Sequence, residues 1–384
     1  MSRRSFVSLA SAAVATVTLG SSSLVAEPQE AGTMVYIGTT DNTAGGDGVF
    51  VARWDAKAGA LRNLRVAAPV HSAGFPALAQ IGAERYLFAG HQLGEGKARL
   101  SSYRIAHGGD LELVNSIDTD HFDFVHTGID HTHRALVTAS YGSGRVASYH
   151  ISPQGRLSGP VTQLQLEGHG PNASRQTSPH AHGVAIAPGN RFVLINDLGT
   201  DQIRVYKLDA ATARLEPNDP PHFQAAPGSG PRHTAFHPNG KWAYSINEID
   251  STITQLAWDD AAGKLTLLDT VPTLPPGGDV ANNRAGEVVF DRTAKYLYAC
   301  NRGAVEELLT FAVGAGGKLT LAGRTPLGGK EARHFAVSPD NRFLVVARQF
   351  SNQVAVFARD AKTGLLTDTG AAVEVKVPSC VLFA

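Results

Sequence analysis

Histidine, glutamate and arginine recur at two fixed places along this chain. Near the start of one kind of short apolar strand stand His182, Arg232 and Arg333, with Glu287 one step further along in another copy. At the end of the strand that comes next stand Asp197, then Asn247 beside Glu248, Asn301 beside Arg302, and Arg348 beside Gln349. Arginine grips a carboxylate or phosphate through two parallel N–H bonds, and histidine can take a proton near neutral pH. A His, two glutamates and several Arg gathered on one rim would bind a small anionic ligand, with groups able to do acid–base work on it. No G-x-S-x-G nucleophile elbow occurs, and Ser143 in YGSGR falls in a turn between strands, where a structural role fits it.

The element that must position these residues is a repeat, seen whole between Gly230 and Thr270. It holds four apolar-alternating runs: RHTAFHP (strand a), KWAYSINE (b), STITQLAW (c) and KLTLLDT (d), with Pro238-Asn239-Gly240 turning a into b. Strand b recurs as RYLFAG at Arg85, RALVTA at Arg134, RFVLIN at Arg191, KYLYAC at Lys295 and RFLVVA at Arg342, and in truncated form as VYIGTT at Val35. Seven copies about fifty residues apart predict an all-β fold, a seven-bladed β-propeller of four-stranded antiparallel blades. The first copy has no strand a before it, and the last residues, VEVKVPSCVLFA, stand where a strand a would. The C-terminal strand is therefore expected to complete the first blade and close the ring. In such a blade the start of a and the end of b lie on the same rim, which brings the two sets of polar residues to one central mouth.

Composition bounds the partners. The chain has 34 Lys+Arg against 34 Asp+Glu, and this balance, without a basic stripe, argues against nucleic acid. Residues 1–30 read as an export signal and short linker: a basic start, a stretch of small and apolar residues, and a cleavage position after Ala26. Arg3-Arg4 followed by Ser5-Phe6 resembles a twin-arginine signal, which predicts a periplasmic or secreted protein with no membrane attachment after cleavage. Residues 31–384 then form one propeller domain, with a monomer favoured. Cys300 and Cys380 read as buried free thiols. His121, His126, His131 and His133 cluster, but without metal-ligand spacing, so they read as surface or core histidines and no metal or other cofactor is expected. The stretch LEGHGPNASRQTSPH, rich in Gly, Pro and Ser, reads as a loop inserted before the fourth blade.

The motifs SPHAHGVAIAPGNRFVLINDLGTDQIRVYKLD, GPRHTAFHPNGKWAYSINE, YLYACNRG and VKVPSCVLFA resemble those of lactonase-type seven-bladed propellers, a family that contains 6-phosphogluconolactonases and a fungal muconate-lactonising enzyme. The resemblance runs over essentially everything after the signal. It implies that His182, Arg232, Glu248 and Arg302 occupy the family's proposed active-site positions, with no metal; the other rim residues Asp197, Asn247, Glu287, Asn301, Arg333 and Gln349 are expected from their places on the strands to contact substrate. It further implies water attack on a lactone carbonyl, His182 or Glu248 acting as base and Arg232 and Arg302 holding the substrate anion and the oxyanion. In the second blade GHQLGEG stands where relatives tend to carry an Asn-Glu pair. Two other readings remain beside it: a muconate-type lactonising enzyme, and a binding or scaffold propeller without catalysis.

Overall fold

The computed structural model describes residues 32–40, 48–120 and 123–384. The expected export signal and His121 lie outside them. Among the described residues, seven sheets of four antiparallel strands succeed one another, each running a-b-c-d from the centre outward. The repeat seen whole in the sequence is blade five, with strands Pro231–Phe236, Trp242–Asn247, Thr252–Asp259 and Lys264–Pro272. Its a-to-b turn closes with Gly240 at φ 70°, and blades four and seven use Asn190 and Asn341 at φ 58° and 61° for the same turn. Asn and Gly tolerate this left-handed backbone best, so the turn expected at Pro238-Asn239-Gly240 forms, and APGN and SPDN serve the same hairpin in blades four and seven.

Strand b is buried on both faces because neighbouring blades sandwich it: every residue of Ala135–Ser140 and of Phe192–Asp197 is buried. Adjacent blades are also tied by hydrogen bonds. The strand-b tyrosines Tyr36, Tyr244 and Tyr298 donate to the carbonyls of Gly109, Gly317 and Gly364 in the next blade, at 2.9, 2.6 and 2.8 Å. A Cβ at Gly317 would lie 2.6 Å from the Tyr244 hydroxyl, so the glycine in this c-to-d turn makes room for the tie. The ring closes as expected, since Pro378–Phe383 pairs antiparallel with Met34–Thr39 as strand a of blade one. Cys300 and Cys380 are buried and free.

Six blades share a defect in strand a that shapes the central channel. The ladder to strand b is interrupted by a bulge at Val125, His182, Arg232, Gly286-Glu287, Arg333 and Ser379. A bulge re-aims the extra side chain and bends the strand, here at the rim of the channel. Blade two lacks it: its strand a, Ala77–Ile81, pairs regularly with Glu84–Gly94. Just before that strand, Phe75 enters the channel. Its ring centre lies 5.5, 5.8 and 5.5 Å from those of His126, His233 and His334, contributed by blades three, five and seven. Among the described residues, no helix is long and apolar enough to cross a membrane.

Candidate active site

The bulge register explains which residues meet. His182, Arg232 and Arg333 are the extra residues of strand a in blades four, five and seven, and the same position in blade six is Gly286. A Cβ at Gly286 would stand 2.8 Å from Arg302 Nε and 2.6 Å from Cys300 Sγ. The missing side chain is therefore what lets the Arg302 guanidinium lie across this blade, 1% exposed.

Glu248, one residue past the end of strand b in blade five, is the hub. Its Oε2 is 2.8 Å from Arg302 Nη2 and 3.1 Å from Arg232 Nε, and its Oε1 accepts from Arg175. Arg302 also reaches Glu331 through Nη1 at 2.7 Å, and Arg284 meets the other Glu331 oxygen at 2.9 Å. Burial works to raise the Glu248 carboxyl, but Arg302, Arg232 and Arg175 together hold it well below the usual carboxylate range. Arg232 is also held below its usual guanidinium value despite its glutamate, because full burial and the nearby Arg302 both disfavour its charge.

A cavity of about 520 Å3 opens over this network, lined by Glu248, Arg302, Arg333, Gln349, Arg175, Arg284 and Glu331 together with Thr40, Phe350 and Val377. Four arginines face two glutamates there, a surplus of two positive charges. Arg333 carries the imbalance. It has no ion-pair partner among the described residues, and its Nε is buried without a hydrogen bond. Burial, with Arg232 and Arg302 repelling it, pulls Arg333 down to about 9. Guanidinium groups remain protonated in proteins, so we read this strain as a demand for an anion and not as loss of the proton.

Beneath the cavity lies a layer of imidazoles. His182 is 2% exposed, its ring centre 5.0 Å from that of His233 and 5.7 Å from that of Tyr141, and its Nδ1 has no hydrogen-bond partner among the described residues. His233 Nδ1 bonds the Glu287 carboxylate at 2.9 and 3.0 Å, which fixes its tautomer and leaves Nε2 without a proton. Burial, helped by Arg232, takes His182 and His233 well below the usual imidazole value. Burial likewise brings His126 to about 3 and His334 to about 4. These rings are neutral at pH 7.

The structure thus brings Glu248, Arg302, Arg333 and Gln349 to the cavity wall, while Arg232, His182 and Glu287 are buried away from its lining. Three other expected substrate contacts, Asp197, Asn247 and Asn301, turn away. Asp197 accepts from the His180 and Gly199 amides at 2.8 and 3.2 Å and pairs with Arg204. Asn247 donates to Thr252 and Thr254, and Asn301 donates to Glu307 and to the Thr273 carbonyl. Asp197 and Asn247 hold their own blades together, and Asn301 also ties blade six to the segment leaving blade five. His131 and His133 lie in the a-to-b turn of blade three, whereas His126 packs in the channel. In blade two, Gln92, Gly94, Glu95 and Gly96 line a separate cavity of about 380 Å3.

Sequence reasoning missed Arg175, Arg284 and Glu331. Arg175 comes from the insertion before blade four, which has no counterpart in the other repeats. Its one signal was an arginine inside a long Gly- and Ser-rich loop bordering the mouth. Arg284 and Glu331 stand two residues before the bulge positions of blades six and seven, and comparing those two positions across the copies would have found them.

Comparison with known proteins agrees with this architecture. The family described as lactonase, seven-bladed β-propeller, matches residues 34–383. The 6-phosphogluconolactonase of Bacillus subtilis is 28% identical over 351 residues, 91% of this chain and 97% of that protein. The 6-phosphogluconolactonase of Pectobacterium carotovorum is 32% identical over 268 residues, 69% of this chain and 76% of that protein. Among solved structures, the periplasmic gluconolactonase of Pseudomonas aeruginosa superposes with a TM-score of 0.85 at 30% identity, covering 92% of this chain and 99% of the other. With seven blades closed by the C-terminal strand and an arginine–glutamate network at the mouth, the chain belongs to the seven-bladed β-propeller lactonase family.

Proposed function

We propose that this protein hydrolyses a sugar-acid or other carboxylated lactone at the Glu248–Arg302 cavity. The observation that carries the reading is Arg333, a cavity-lining guanidinium without a carboxylate partner beside a glutamate already shared by three arginines. In this mechanism Arg333 and Gln349 hold the polar or anionic end of the substrate. Water attacks the lactone carbonyl carbon, and the tetrahedral oxyanion forms against Arg302, with the buried charge of Arg232 beyond it, both set in place before the reaction by Glu248, Glu331 and the Gly286 carbonyl. The attacking water gives its proton to His182, a neutral imidazole with an unpartnered Nδ1. The ring C–O bond then breaks, and the departing alkoxide takes that proton to give the hydroxy acid. Glu248, with both oxygens committed to Arg175, Arg232 and Arg302, positions them and leaves the proton to His182.

The N-terminal reading favours an unphosphorylated lactone, because phosphorylated sugar lactones are cytoplasmic metabolites and residues 1–30 read as a twin-arginine export signal. The likeness to a periplasmic gluconolactonase supports the same compartment. Replacing Arg3 and Arg4 by Lys would leave an unprocessed precursor; normal processing would point to another route.

The binding half of the proposal is tested without turnover. Gluconate or phosphogluconate at a hundredfold excess over its dissociation constant stabilises the folded state by about 2.7 kcal/mol, readable as a melting shift. Arg333→Ala abolishes that shift. If the parent shows no shift at low salt with millimolar anion, the non-catalytic scaffold becomes the better reading.

A further inference from the structure

A second cavity, about 600 Å3, adjoins the first. The two share one wall, made by Arg175 and Arg284, and beyond it the lining changes character to Asn172, Ser174, Asp250 and Asn282. Each wall arginine is tied to an acid of the first cavity, Arg175 to Glu248 and Arg284 to Glu331, so the wall belongs to the catalytic network while facing both spaces.

The second space sets one carboxylate, Asp250, against the two shared arginines, where the first sets two glutamates against four. Asp250 has no ion-pair partner among the described residues. Thr252 Oγ1 donates to its Oδ1 at 2.7 Å, and burial pushes the carboxyl up to about 6, which leaves it mostly ionised at neutral pH. An unpaired, largely buried carboxylate repels an anion and accepts hydrogen bonds from neutral hydroxyls. The Ser174 hydroxyl donates to Asn172 and the Asn282 amide to Asp279, so Asp250 is the acceptor this groove offers a sugar hydroxyl, while Ile249, Val280 and Ala281 offer an apolar surface to a sugar's C–H face. Cavities of about 300–1,000 Å3 each take a ligand the size of a small drug, so the first cavity alone accommodates one sugar-acid lactone and leaves the second unaccounted for.

We propose that the second cavity is a subsite for a neutral sugar unit, and that the substrate class is a glycosylated aldonolactone: the lactone ring in the Arg302–Arg333 cavity, and its glycosyl substituent across the Arg175–Arg284 wall against Asp250 and Asn282. The proposal rests on the lactonase reading and narrows it. Asn282 is exposed, so filling its position does not disturb the blade core, and Asp250→Asn keeps an acceptor for Thr252.

The test compares hydrolysis of cellobiono-1,5-lactone with that of glucono-1,5-lactone by the full-length mature protein. The parent favours the disaccharide lactone in kcat/KM by about tenfold, the worth of roughly one added charge-assisted hydrogen bond. Asp250→Asn and Asn282→Trp each lower that ratio toward one. A ratio of one or below in the parent, or a ratio unchanged in both variants, overturns the subsite. If neither lactone is opened, the lactonase reading fails separately, and calorimetry with cellobionate against gluconate decides the subsite. Tighter binding of cellobionate, weakened by Asn282→Trp, upholds it, and equal binding removes it.

Discussion

Replacing Glu248 by Gln removes one negative charge from among three guanidinium groups, and the structure apportions the consequence. Arg302 keeps Glu331 at 2.7 Å. Arg175, whose side chain is 33% exposed, is screened by water. Arg232 is fully buried and is left with the Gly286 carbonyl at 2.7 Å and a distant Glu287 oxygen at 4.0 Å, so the loss falls on it. At about 3 Å and an effective dielectric of about 20, the lost attraction is about 5 kcal/mol, and breaking a buried pair from one side costs about 3–5 kcal/mol in total. Urea unfolding of parent and variant, with midpoints and slopes compared, measures this directly. The variant is also expected to gain more stability from added sulfate or gluconate than the parent, since an anion can stand in for the missing carboxylate. The pH dependence has a defined sign. A carboxyl held below its unfolded value of about 4.3 contributes its stabilisation above that pH and loses it as the pH falls through the folded value. That part of the acid limb is absent in Glu248→Gln. A stability loss under about 1 kcal/mol, the range of surface ion pairs, would refute the claim that Glu248 is the charge around which the arginines are set.

Acid lability should also come from the imidazoles. His126, His182, His233 and His334 all sit below the usual histidine value when folded, so the unfolded chain takes up protons first as the pH falls through about 6.5, and stability drops from there downward. Each contributes about 1.4 kcal/mol per pH unit once its unfolded form is protonated, and His126→Asn reduces the slope of stability against pH between about 6 and 4 by one such share. An unchanged slope would mean that His126 titrates alike in both states. Deleting residues 377–384 removes strand a of blade one and exposes the edge of Met34–Thr39. The truncated chain is expected to aggregate or lose its cooperative transition, and a monomeric, cooperatively melting product would contradict ring closure as a stability requirement.

Much of the fold was legible because every blade repeats one pattern of turn and alternation. Val35, Arg85, Arg134, Arg191, Lys241, Lys295 and Arg342 mark seven equivalent strands, and the orphan strand at Pro378 had one vacant place to fill. The candidate site was legible only to the resolution of a rim. Asn247 and Glu248, or Asn301 and Arg302, are neighbours in sequence, yet successive side chains of a strand point to opposite faces. One member of each pair supports its blade and the other reaches the mouth. The repeat told that both pairs end strand b without telling which parity faces inward. The bulge at His182, Arg232 and Arg333 decides the inward-facing residues of strand a, and it leaves no compositional mark, since a His, an Arg and a Gly occupy the same position in different blades. Phe75 was invisible for a related reason: it stands in the one blade whose strand a lacks the bulge. Arg175 lies in an insertion to which no periodicity applies.

The most direct measurement of the central claim is acid release in a pH-stat at neutral pH, with glucono-1,5-lactone and a panel of carboxylated lactones, read against spontaneous opening in the same buffer. The parent is predicted to open at least one of them well above that background. Arg302→Lys keeps the charge and loses the two-pronged grip on Glu248 and Glu331, and it is predicted to lower kcat by about a hundredfold, the cost of one oxyanion-stabilising donor. A parent rate equal to the spontaneous rate across the panel, or an Arg302→Lys variant at full rate, would contradict it.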